Sequence, residues 1–146
     1  QCSPNTAATG GSPGSAGLNM AKIMMEELSA VLAYMNGDFR KAEAHFHNAI
    51  SIEEQNGHFF GPPEIMRPTQ EFYGDFLLSR KKYKEAAAAF EKALDKAPGR
   101  TQSLIGLKTA LQHLHDAEGA KKIASQLEKN LASAEVDKIT TFFSTD

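Results

Sequence analysis

The chain has 146 residues, 41% hydrophobic and 23% charged, with a formal net charge of −2 at pH 7. This is the balance of an ordinary soluble globular domain with room for a real core. It lacks the basic excess of a nucleic-acid binder and the run of about 18 apolar residues that a membrane span needs, and the lone Cys2 excludes an intrachain disulfide.

In chain order, residues 1–17 are rich in Ser, Gly, Pro, Ala and Thr without apolar periodicity. Such a segment cannot offset its ordering entropy by burial and is expected to be a flexible arm, with folded structure from near Leu18. Cys2 on that arm reads as an idle thiol, or as an interchain disulfide or attachment point. Gln1 precedes it, which argues against a lipid anchor on a first-residue cysteine. An N-terminus at Gln1 instead of Met reads as a processed product or a fragment, which leaves secreted and periplasmic compartments open.

Met20, Ile23, Met24, Leu28, Val31, Leu32 and Met35 recur at helical spacing and predict one apolar face of a first helix. Asn36-Gly37-Asp38 breaks it. Gly37 tolerates the left-handed conformation that ends helices, and Asp38 can cap the next one. A second helix carries Phe39, Ala42, Phe46, Ala49 and Ile50 on one face and runs to about Asn56. Pro62 and Pro63 forbid a regular helix beyond, so a turn through Gly57 and Gly61 is expected. Phe59, Phe60, Ile65 and Met66 on this connection are expected to pack back on the helices, the other reading being a binding surface.

Tyr83, Ala86, Phe90, Ala93 and Leu94 then repeat the spacing and nearly the residues of the second helix, and Pro98-Gly99 ends that run. A weaker third copy follows. Leu104, Leu107, Leu111 and Leu114 form its first helix, Asp116 is a candidate cap, and Ala120, Ala124 and Leu127 mark its second helix. Val136, Ile139, Phe142 and Phe143 fall at helical spacing near 133–143 and predict a capping helix over the last apolar face.

A helix–turn–helix of about 34 residues with small residues at fixed places resembles the tetratricopeptide repeat. The residues that carry the resemblance are Ala30, Gly37, Phe39, Ala42, Phe46 and Ala49 in copy one. In copy two they are Gly74, Tyr83, Ala86, Phe90, Ala93 and Pro98, and in copy three Leu104, Leu107, Ala120 and Ala124. Gln70 stands where the family has a bulky aromatic. The segment HFFGPPEIMRP ahead of copy two resembles a connection in bacterial proteins of this family. The resemblance implies an all-α, right-handed α-solenoid of about three helix–turn–helix repeats plus the capping helix. The copies would lie near 23–56, 67–100 and 101–132, within a domain spanning 18–146.

No constellation of reactive groups emerges. His45 and His47, and His113 and His115, are two apart and so point roughly 200° apart on a helix, which makes neither pair a ready metal site. They read as surface histidines, with Glu43 and His47 neighbours at i,i+4. Glu26-Glu27 and Glu53-Glu54 read as solvated helix surface. No catalytic, cofactor-binding or metal-binding residue is assigned, and no cofactor is expected.

By the family's register, first helices line a concave groove. Its candidates are Glu27, Val31 and Tyr34 in copy one, Glu71, Asp75 and Leu78 in copy two, and Ile105, Thr109 and Gln112 in copy three. The family's carboxylate clamp uses Lys, Arg and Asn, whereas the matching places hold Glu27, Val31, Phe72, Gln102 and Gly106. The resemblance therefore implies a non-enzymatic scaffold for a protein or peptide. Glu27, Glu71 and Asp75 would favour a basic or neutral one. The rival expectation is self-assembly into dimers or filaments through the array's ends and the N-terminal arm.

Overall fold

The computed structural model describes residues 13–55 and 67–133, which hold six helices and no strand. They are α1 (Pro13–Met35), α2 (Phe39–Gln55), α3 (Thr69–Ser79), α4 (Tyr83–Lys96), α5 (Thr101–His113) and α6 (Ala117–Ser133). The chain divides into two compact units, Gln1–Glu64 and Ile65–Asp146, so α1 and α2 make one and α3 to α6 the other. The arm up to residue 12, the connection at 56–66 and the apolar tail at 136–143 lie outside the described residues.

The first unit is a pair of packed helices. α2 buries Ala42, Phe46, Ala49 and Ile50, and the described part of α1 from residue 17 on buries Ile23, Ala30 and Ala33. The expectation of one apolar face on α1 therefore needs correction. Ile23 alone of the seven expected face residues is buried, while Met24, Leu28, Leu32 and Met35 are exposed. Small side chains at Ala30 and Ala33 let the two helices approach closely, so α1 presents its slim side to α2 and not its bulky one. The helix also begins at Pro13, ahead of Leu18. Proline is accommodated in a first turn, where its missing N–H costs no hydrogen bond.

The turns between α1 and α2, α3 and α4, and α5 and α6 are built alike. Gly37, Lys81 and His115 hold equivalent places and all take positive φ, at 76°, 59° and 60°. Each turn closes with the same pair of backbone bonds. Gly37, Lys81 and His115 donate N–H to Tyr34, Leu78 and Gln112, at 2.9, 2.9 and 3.1 Å. The next N–H groups, of Asp38, Lys82 and Asp116, reach back to Ala33, Leu77 and Leu111 at 2.9, 2.9 and 3.0 Å. This is the Schellman arrangement, which satisfies carbonyls that the helix end would otherwise strand. Asp38 accepts a bond from the Lys41 N–H at 3.1 Å and Asp116 from the Gly119 N–H at 2.9 Å, so both cap the helix that follows.

In the second unit each helix packs on the next, and α3 also reaches α5. Phe90, fully buried, is the wedge between α3 and α5. Its ring occupies the space a side chain would need on either neighbour. A Cβ at Gly74 would lie 2.8 Å from the ring, and one at Gly106 only 2.2 Å. Small residues at these two places thus set the spacing of consecutive repeats, and the aromatic fills it. Ala86, Ala93, Leu104, Leu107 and Ala110 complete the buried layer. α6 is tied to the α4–α5 turn by Asn130, whose amide donates to the Gly99 carbonyl at 2.9 Å.

Candidate partner-binding surface

The nine residues expected to line the groove fare differently. In the first unit, Glu27 and Val31 are half-buried on α1. Tyr34 is 41% exposed, and its ring lies 5.7 Å from that of Phe39 across the turn. In the second unit, Asp75, Ile105 and Gln112 are exposed, while Leu78 and Thr109 are half-buried. The Thr109 hydroxyl donates to the Ile105 carbonyl at 2.9 Å, so it is committed to its own helix.

Glu71 is the exception, and its expected place on an acidic groove is corrected. Only 2% of the residue is exposed, and its carboxylate faces inward to α5. Arg100 donates to both oxygens, Nε to Oε2 at 2.6 Å and Nη2 to Oε1 at 3.2 Å. The Ser103 hydroxyl donates to Oε2 at 2.5 Å, and Arg67 Nε lies 3.2 Å from Oε1. Burial alone would raise this carboxyl. The hydrogen bonds from Arg100 and Ser103 and the charges of Arg100 and Arg67 outweigh burial and hold it below the ordinary carboxylate range. A buried carboxylate with this many donors is a structural joint between α3 and α5, with no capacity left for a partner.

Asp75, at the open edge of the same cluster, is ion-paired with Arg67, whose guanidinium also lies over the Phe72 ring at 4.3 Å. Partial desolvation lifts the Asp75 carboxyl above its ordinary value, against the charge and hydrogen bond of Arg67 and helped by the Glu71 charge. Two of the three acids expected to make the groove negative are therefore neutralised by arginines from within the fold. Sequence register could not show this, because Arg67 and Arg100 lie on connecting segments and not on the helices it ranked.

Two further contacts escaped the sequence reading. The His45 ring on α2 donates from Nδ1 to Glu26 on α1 at 2.7 Å, joining the helices of the first unit. The His113 ring stacks on Tyr83, 4.2 Å between centroids and nearly parallel. Helical spacing alone makes both histidines plain surface residues. Each is the partner of a residue far away in sequence, which single-helix spacing does not report. Among the described residues, no group of three or more His, Cys, Asp or Glu could hold a metal ion, and no helix is long and apolar enough to cross a membrane.

Repeated turns with one hydrogen-bond pattern, small residues at the helix crossings and an aromatic wedge between repeats define an all-α helical-repeat protein. Residues 77–140 match the family model described as "Tetratricopeptide repeat". Repeats of that family generally mediate protein–protein interaction and are typically non-enzymatic scaffolds. No curated protein matches the chain.

Proposed function

We propose that the chain is a non-enzymatic scaffold that holds a peptide segment of a protein partner along the exposed sides of α3 and α5, the first helices of the second unit's repeats. Support comes from α3 and α5, where Ile105 and Gln112 are exposed beside a half-buried Leu78 while the buried Glu71–Arg100–Ser103 joint holds the two helices together. A rigid pair of helices with a mixed apolar and amide face suits a short peptide, because little order has to be created on binding.

The partner is a neutral segment with apolar side chains. A basic one is disfavoured relative to the sequence expectation, since Glu71 is consumed internally and Asp75 is already paired. The test is selection of a displayed random peptide library on the purified chain. Selected peptides should be neutral, should lose about tenfold or more in affinity against Ile105→Glu, and should bind a Lys92→Ala control on α4 unchanged. Their affinity should change by less than about twofold as salt rises. A selection dominated by Lys- and Arg-rich peptides, or one blind to Ile105→Glu, would overturn the reading.

A further inference from the structure

α1 has two apolar faces, and among the described residues only one is buried. Ile23, Ala30 and Ala33 are buried, on the side packed against α2. At 100° per residue, the opposite side carries Leu18, Ala21, Met25, Leu28, Leu32 and Met35. The five large members are 58%, 68%, 61%, 53% and 75% exposed. They step 3-4-3-4-3 along the chain, the spacing of a coiled-coil seam and not of a face curling onto a globular core.

We propose that this stripe is the contact between two copies of the chain, pairing α1 with α1. Three observations favour a second copy as the occupant. The 3-4 spacing is the self-complementary one, since each knob finds a hole of the same register on an identical helix. The seam positions carry no charge, and the residues beside them contribute only Lys22, so bringing two copies together places no row of like charges face to face. The area is adequate. With Met24 alongside, six side chains more than half exposed offer roughly 600 Å² per chain, against about 800 Å² per partner in a standard stable interface. The pair is therefore a micromolar or weaker one, seen only when concentration is raised. The stripe lies on a different side of α1 from Glu27, Val31 and Tyr34, so this contact stands independently of the peptide surface.

Sedimentation of the full chain from about 5 to about 500 µM tests it. The expected result is a monomer–dimer equilibrium that persists in reductant, which removes any bridge through Cys2. Leu28→Glu should weaken it by about tenfold or more with helicity and melting temperature unchanged, because Leu28 is already exposed in the fold. Ala21→Leu fills the one small seam position and should tighten it by a similar factor. A strict monomer over the whole range overturns the proposal, whether the stripe is then covered by another protein or by another part of the chain. A dimer indifferent to both substitutions overturns it equally.

Discussion

At the residue scale, the turns after α1, α3 and α5 pose one backbone demand and meet it with different residues. Gly37 takes positive φ at no steric cost, while Lys81 and His115 take it with a Cβ. Replacing Lys81 or His115 by Gly should each stabilise the chain by about 0.5–1 kcal/mol, the strain relieved less the added entropy of the unfolded chain. Gly37→Ala should cost about 1 kcal/mol, although nothing lies within 4 Å of its added Cβ. Urea unfolding of the three variants measures this. Glu71 carries a second prediction. Its folded pKa is lowered, so its contribution is fully present above the ordinary carboxylate range and is lost as pH falls through the folded value. Glu71→Gln should cost about 2 kcal/mol at pH 7, reduced from a fully buried pair because Arg100 stays partly exposed. The gap between variant and parent should close in acid, below the range where free carboxylates titrate. Asp75, with its raised value, runs the opposite way, and because the Glu71 charge contributes to that rise, Glu71→Gln also brings Asp75 nearer its ordinary value.

At the scale of elements, the Phe90 wedge sets the spacing of α3 and α5. Gly106→Ala forces a Cβ into the ring and should destabilise the second unit by about 1–3 kcal/mol. Combining it with Phe90→Leu should recover part of that loss, because the smaller side chain vacates the contested space, whereas two independent lesions would add. Thermal melts of the two single variants and the double variant decide between these. The pairing of small with aromatic residues was legible in the spacing of Ala86, Phe90 and Ala93. The identity of the opposing glycines was only half legible. Gly74 falls at a position of the repeat pattern, while Gly106 carries no such signal beyond being unfit for a carboxylate clamp.

For the whole molecule, the two surfaces divide the functional questions. Ile105→Glu should impair peptide binding and leave self-association intact, and Leu28→Glu should do the reverse. Measuring both properties on both variants separates a scaffold that pairs from an assembly protein whose groove is idle.

By itself the sequence determined the helices, the repeat and the caps. Those depend on local periodicity, on Asp38 and Asp116 ahead of helices, and on the recurrence of Phe39–Ile50 in Tyr83–Leu94. Only the tertiary structure decided which apolar side of α1 is consumed, and that Glu71 faces inward. Helical spacing says which residues share a side, and α1 has apolar residues on more than one. The choice falls to the closeness of approach that Ala30 and Ala33 permit against α2. In the same way a glutamate on a helix is exposed by default. Glu71 is buried because Arg100, just ahead of α5, and Ser103, on α5, supply the hydrogen bonds that make burying a charge tolerable.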